Sequence, residues 1–62
     1  MLDLDLIIEA IEACRDREWE FVDTCEYVSR KFNLPLDFIE AVYDSCDGVE
    51  LDADKWWDVL QG

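Results

Sequence analysis

Histidine is absent from this chain, and lysine and arginine together number only five against 17 aspartate and glutamate residues. Histidine is the commonest general base and the usual activator of a serine or cysteine nucleophile. A chain of 62 residues is also too short to enclose the kind of apolar pocket that shifts the pKa values of two carboxyl groups apart. We therefore expect no catalytic residues and predict that the protein is not an enzyme.

Glycine-rich phosphate loops and metal-ligand spacings are missing as well. Cys14, Cys25 and Cys46 are odd in number and widely separated, which is typical of reduced core cysteines rather than of a disulfide framework or a zinc site. Residues 44–54 are acidic but depart from an EF-hand loop, because Tyr43 would occupy its first ligand position and Asp54 its twelfth. We expect no metal and no cofactor, and keep a calcium-responsive module at residues 44–54 only as a third hypothesis.

Long apolar runs and a positively charged leader are also missing. No stretch approaches the length of a membrane span, and the first five residues, Met-Leu-Asp-Leu-Asp, lack the basic region of a signal peptide. The net charge of −12 would repel nucleic acids and anionic membranes alike. The sequence thus predicts a cytoplasmic protein that contacts neither membrane nor nucleic acid directly.

Apolar and aromatic residues, in contrast, are abundant. Hydrophobic residues make up 52% of the chain, including three Trp, three Phe and two Tyr. Disordered acidic chains have few such residues. We expect residues 1–62 to form one small domain of marginal stability, which self-association as a homodimer would increase.

The first half of the chain has helical periodicity. Apolar residues recur with helical spacing in two sets, the first starting at an N-cap provided by Asp3 or Asp5 and the second ending near Asn33, ahead of Pro35. The sets are Leu4, Ile7, Ile8, Ile11 and Cys14, then Phe21, Val22, Cys25, Val28 and Phe32. The heptad spacing of these apolar residues also permits one long helix over residues 4–33, which would suit a coiled-coil dimer. We favour a break near Asp16, which could cap the second helix.

The second half predicts two further helices. Pro35 lies at the first turn of one, whose buried residues are Phe38, Ile39, Val42 and Cys46, and Asp47-Gly48 ends it. Asp52 begins a last helix from Ala53 to Gln61, in which Trp56 and Leu60 share a face and Trp57 points elsewhere. The predicted fold is all-α: a compact bundle of three to four short helices with no sheet.

Residues 28–39 resemble the core of a helix-turn-helix, with small Ser29, Asn33 at the turn and apolar Leu34 after it. In DNA-binding proteins of this type the second helix reads the duplex. Here that helix carries Asp37, Glu40 and Asp44 and no lysine or arginine. We therefore expect a helix-turn-helix-like corner that serves packing or a protein partner.

The acidic residues fall into two groups. Some have structural roles, at helix starts or in ion pairs such as Glu26 with Arg30 and Glu12 with Arg15. A second group, Asp5, Glu9, Glu12 and Asp16, forms a stripe opposite the apolar face of the first helix. In a single long helix, Glu20 and Asp23 would extend it. Neighbouring carboxylates at this spacing lie about 5–6 Å apart, close to the spacing of phosphates along a DNA strand.

Tryptophan is the other unusual component. Trp56 and Trp57 are adjacent and must face different directions, so we expect Trp57 to be partly exposed. Together with Trp19 it could anchor a protein interface, where tryptophan is enriched. An exposed tryptophan that merely covers the end of a small bundle is an equally good interpretation.

These features favour a binding protein. In size and charge the chain resembles the small acidic inhibitors made by phages, such as DNA mimics and anti-CRISPR or anti-restriction proteins. The resemblance implies a protein partner whose basic, nucleic-acid-binding surface is occupied. Candidate partner-binding residues are Asp5, Glu9, Glu12, Asp16, Glu40, Asp44, Trp19 and Trp57. The alternative is a protein-protein interaction module or regulator that binds through Trp19, Trp56 and Trp57, its acidity serving solubility.

Overall fold

A computed structural model describes residues 2–61 as four α-helices in chain order. They are α1 (Leu4–Asp16), α2 (Phe21–Phe32), α3 (Leu36–Cys46) and the short α4 (Trp57–Gln61). The first three pack against one another in every pairing, and residues 2–61 contain no strand. The all-α bundle is thus confirmed, and the chain breaks between Asp16 and Phe21 rather than continuing as one helix.

The break is made by backbone geometry at the end of α1. Glu18 adopts a left-handed conformation with φ of 62°. This bend lets the amide of Trp19 donate to the Cys14 carbonyl at 3.1 Å and the amide of Glu18 to the Arg15 carbonyl at 2.9 Å, the two bonds of a Schellman motif. The predicted N-cap at Asp16 is wrong: Asp16 is the last residue of α1, and Glu20 precedes α2 without a side-chain cap.

The next two helix ends repeat this geometry. Asn33 after α2 and Gly48 after α3 also have positive φ, 55° and 98°. The following amides close the same ring, Leu34 to Ser29 at 3.0 Å and Val49 to Asp44 at 3.2 Å. Asn and Gly tolerate this conformation, whereas glutamate rarely adopts it. The predicted helix ends at Asn33 and Gly48 are confirmed, and the end at Glu18 is the strained one.

Replacing Glu18 with glycine is expected to stabilise the protein. The left-handed conformation costs a residue with a Cβ about 1–2 kcal/mol, and the greater freedom of glycine in the unfolded chain offsets part of the gain. We expect the free energy of unfolding in urea to rise by about 1 kcal/mol. Glu18→Gln is the control, because it removes the charge but keeps the Cβ. An equal gain in both variants would assign the effect to charge instead.

The corner between α2 and α3 is tight and well bonded. The Ser29 hydroxyl donates to the Leu34 carbonyl at 2.6 Å, so this small residue contributes a hydrogen bond as well as space. Pro35 is extended, with ψ of 139°, and lies just before the helix rather than within its first turn. The helix-turn-helix-like corner is confirmed.

The core lies among the first three helices. Its largest fully buried side chains are Phe38, Ile7, Ile11, Ile39, Val28 and Val42. Cys14 and Cys25 are buried beside them, whereas Cys46 is only partly buried. Burial of Phe38, Ile39 and Val42 matches the sequence prediction for α3.

The apolar face of α2 is narrower than its periodicity predicts. Phe21 is 39% exposed and Val22 58% exposed, because the break at residues 17–20 leaves the first turn of α2 at the rim of the bundle. Phe21 instead packs edge-on against the half-buried Tyr43, with ring centroids 4.8 Å apart. The predicted burial of Phe21 and Val22 is therefore wrong. Thr24, which the pattern does not single out, is fully buried.

The last helix is shorter than predicted. Turns cover residues 53–56, and α4 begins only at Trp57. Asp52 does start the segment, since its carboxylate accepts from the amides of Asp54 and Lys55 at 3.1 Å. Trp56 packs edge-on against Phe38 with ring centroids 5.5 Å apart. This contact closes the core on the side of α3.

Candidate partner-binding surface

The carboxylate stripe of α1 faces solvent along its whole length. Asp5, Glu9, Glu12 and Asp16 are all exposed, while Ile7, Ile11 and Cys14 on the opposite side of the helix are buried. Asp3 has a structural role instead, because its carboxylate accepts from the amide of Asp5 at 3.1 Å and caps the helix. The helix therefore presents four carboxylates in a row on a rigid backbone.

Carboxylates elsewhere in the chain are nearly all exposed too. Of the 17 acidic residues, only Glu40 is half-buried. Within residues 2–61 there is one ion pair, between Arg15 and Asp47 at 2.9 Å. The pairings of Glu12 with Arg15 and Glu26 with Arg30 suggested by their helical spacing are not formed. Internal ion pairs thus neutralise very little of the acidic surface.

The Arg15–Asp47 pair shows how the helices are arranged. Arg15 lies one residue before the end of α1, and Asp47 directly follows α3, so the two helices have their C-termini at the same end of the bundle. The Arg15 guanidinium also lies 5.1 Å from the centroid of the Tyr43 ring. The hydrogen bond and the charge of Asp47 raise the pKa of Arg15. Arg15 thus joins the C-terminal ends of α1 and α3 through one partly exposed ion pair.

Three of the five basic residues make cation–π contacts with aromatic rings of the same chain. Besides Arg15 on Tyr43, Lys31 lies 5.7 Å from the Tyr27 ring centroid and Lys55 lies 5.2 Å from that of Trp56. These distances are within the range of cation–π attraction. Among the described residues, none of these cations forms an ion pair with a carboxylate of the α1 stripe.

On α3, the predicted residues Glu40 and Asp44 lie near enough to a buried thiol of α2 for their charges to act on it. Burial first, and then these two charges, raise the pKa of Cys25 to about 11. Burial, followed by the charge of Glu12, also raises the pKa of Cys46. Neither thiol is activated for nucleophilic chemistry, because the thiolate is the reactive form.

Alkylation of the thiols tests this arrangement. At pH 8, iodoacetamide is expected to modify Cys25 at least about tenfold more slowly than Cys46, since Cys25 is both 1% exposed and further from ionising. Once the protein unfolds, the Cys25 thiol ionises nearer its ordinary pKa of 9.0. The unfolded state therefore loses this proton first, and the free energy of unfolding is expected to fall as pH rises from about 9 to 11. Mass spectrometry of peptides from native and urea-unfolded protein gives the rates. Equal native rates would contradict the structure.

An open groove of about 940 Å³ runs beside α2. Trp19 and Tyr27 form its aromatic part, edge to face with centroids 5.4 Å apart. Its remaining lining residues are Glu18, Glu20, Asp23, Glu26, Arg30 and Lys31. Glu20 and Asp23 thus line this groove and do not extend the α1 stripe. Helical spacing in the sequence could not predict this groove, because the groove forms only where the chain reverses at Glu18.

The three tryptophans differ in exposure and in their ring contacts. Trp57 is 59% exposed and Trp19 is 39% exposed. Both side chains are therefore accessible at the surface, as a partner-binding role would require. Trp56, however, packs on Phe38 of α3, whereas Trp19 contacts Tyr27 of α2. Among residues 2–61, no ring contact joins Trp19 to Trp56 or Trp57. An interface through Trp19, Trp56 and Trp57 stays a prediction.

Two further structural findings concern other classes of site. In the part of the chain that the structure describes, no three or more Cys, Asp or Glu side chains converge as a metal-binding group. The acidic residues 44–54 are included in that statement. No helix within residues 2–61 has the length and apolarity needed to cross a bilayer.

Comparison with known proteins yields no relative: no family model, curated protein or solved structure matches the chain.

Proposed function

We propose that the protein is a non-enzymatic acidic inhibitor that occupies the basic, nucleic-acid-binding surface of another protein. The observation that carries this proposal is the α1 stripe: four exposed carboxylates in a row on one helix, none of which takes part in the single ion pair of the described residues. Lysine and arginine side chains that normally hold phosphates would meet these carboxylates instead.

The mechanism is competitive. A net charge of −12 attracts a basic surface over a long range and speeds association. Carboxylates repeating about every 5–6 Å along a helix offer a row of charges comparable to a nucleic-acid strand. Aromatic side chains at the edge of the contact then slow dissociation.

The positions of several carboxylates support a functional role because they oppose stability. Glu12 and Asp16 lie in the last turns of α1, and Asp44 lies in the last turn of α3. The negative end of the helix dipole disfavours acidic residues there. Acidic residues at helix starts would improve solubility equally well without weakening the fold. Carboxylates placed where they weaken it are therefore better explained by binding to a partner.

Exposure of Trp57 favours a second candidate function. A tryptophan that is 59% exposed on a five-residue helix is a suitable anchor for an interaction module that binds through apolar contacts. In that case charge changes on α1 would leave binding intact, and Trp57→Ala would abolish it.

A binding and competition experiment tests the main proposal. The tagged protein is incubated with lysate of the source organism, and each captured protein is purified and titrated with labelled DNA or RNA in the presence of the inhibitor. We expect a captured nucleic-acid-binding protein whose nucleic acid is displaced stoichiometrically, with affinity falling steeply as salt rises. Capture without displacement of nucleic acid would refute the competitive mechanism.

A further inference from the structure

Three cations of this molecule lie over aromatic rings, and three exposed rings, Trp19, Phe21 and Trp57, have no such cation among the described residues. Of these three, only Trp19 lines the groove beside α2. Tyr43, Tyr27 and Trp56 each have a cation of the same chain within 5.1–5.7 Å of the ring centroid. Trp generally binds cations best of the three aromatic side chains.

Charges along the groove are asymmetric. Glu18, Glu20 and Asp23 lie at or just before the start of α2, near Trp19 in the chain, and Glu26 follows, whereas Arg30 and Lys31 lie in the last turn. Arg17 and Lys31 also line a smaller pocket together with Trp19. The four carboxylates outnumber these three cations, so a cation entering the groove is attracted most strongly to the start of α2. Lys31 already covers Tyr27, which leaves the Trp19 ring as the acceptor.

We propose that the groove receives an arginine side chain of the partner protein, its guanidinium stacked on Trp19 and paired with Glu20 and Asp23. Arginine fits better than lysine because its planar group stacks on a ring while its N–H groups bind carboxylates at the edge. The edge-to-face contact with Tyr27 holds the indole in place before binding. This inference rests on the proposed function, since it identifies a contact through which the basic partner would be held.

Titration with a short peptide tests the groove directly. The probe is a capped Gly-Arg-Gly-Arg-Gly peptide, and its controls carry citrulline, which has the shape of arginine without its charge, or lysine. The readout is the indole N–H signal of each tryptophan in a ¹H–¹⁵N spectrum. We expect a saturable shift of the Trp19 signal with the arginine peptide, a weaker one with lysine and none with citrulline, while Trp57 stays unmoved.

Matched variants separate the groove from net charge alone. Trp19→Leu is expected to weaken peptide binding by about two- to fivefold, followed through the backbone amides of Glu20 and Asp23 because the Trp19 indole is gone, with thermal unfolding as the check that the variant folds. Glu20→Gln with Asp23→Asn keeps the indole and is expected to weaken binding by about three- to tenfold. Glu50→Gln with Asp54→Asn, outside both surfaces, changes net charge equally and should leave the Trp19 shift in place.

The outcomes distinguish this inference from the proposed function. A peptide that shifts the backbone amides of Glu9 and Glu12 but not the Trp19 indole overturns the groove and leaves competitive inhibition standing. Equal shifts with arginine and citrulline peptides also overturn it. A Trp19 shift that responds to Glu20 and Asp23 establishes the groove even if no nucleic-acid-binding partner is displaced in the competition experiment.

Discussion

Replacing Glu9, Glu12 and Asp16 together with lysine is expected to abolish binding to the basic partner. The three side chains are exposed on one face of α1, so each reversal replaces an attraction with a repulsion at the same site. Leaving one interfacial charge unpaired already costs about 2–5 kcal/mol, and three reversals should weaken binding by at least about a hundredfold. Titration calorimetry with the purified partner, or displacement of its labelled nucleic acid, measures the loss.

A control variant with the same change of charge isolates the stripe. Glu50, Asp54 and Asp58 are also exposed and lie outside α1, so replacing them with lysine halves the net charge of −12 equally. This variant should associate more slowly with the partner, because the long-range attraction is weaker, but should retain most of its affinity. Equal loss in both variants would mean that net charge alone, and not the stripe, determines binding.

Loss of binding through unfolding can be excluded in the same samples. Reducing the net negative charge lowers self-repulsion within the folded state. We therefore expect both triple variants to melt at or above the temperature of the unmodified protein. For the same reason, added salt should raise the melting temperature of the unmodified chain.

Phe38→Ala is expected to have the largest effect on stability. Phe38 is fully buried among the first three helices and supports the Trp56 ring. Truncation of a buried phenylalanine costs about 3–5 kcal/mol, and a domain of this size has a total stability of only about 3–9 kcal/mol. The variant should be largely unfolded, which circular dichroism and urea denaturation would show.

Two substitutions define the size of this effect. Phe38→Leu keeps most of the apolar volume and should retain a cooperative unfolding transition with smaller loss. Leu36→Ala lies two residues earlier in α3 but is 40% exposed, and it should change stability by less than about 1 kcal/mol. A Phe38→Ala protein as stable as Leu36→Ala would contradict the position of Phe38 in the core.

Local patterns in the sequence predicted much of the fold. Helical spacing of Ile7, Ile11 and Cys14 identified the buried face of α1, and therefore also the exposed face that carries the stripe. Asn33 and Gly48 marked the ends of α2 and α3, because these residue types readily adopt the left-handed conformation there. Such features depend on a few neighbouring residues and are therefore visible in the chain itself.

Other features depended on contacts between distant residues. Phe21 belongs to the apolar pattern of α2 but lies at the rim, where Tyr43 covers it only on one side. Arg15 has an acidic neighbour at helical spacing in Glu12, yet pairs with Asp47. Local spacing could not choose between these partners, since the parallel packing of α1 and α3 places them side by side.

What the sequence alone determined about this protein is its excess of carboxylates, its helical class and the row of acidic residues on α1, because charge and helical period are properties of the chain. Only the tertiary structure decided where α1 ends and that residues 17–20, between α1 and α2, help to form a groove. The left-handed turn at Glu18 directs Glu20 and Asp23 away from the stripe and into a groove beside Trp19. A single residue in an unfavoured conformation is stable there because two backbone hydrogen bonds and the packing of α2 against α1 offset its cost.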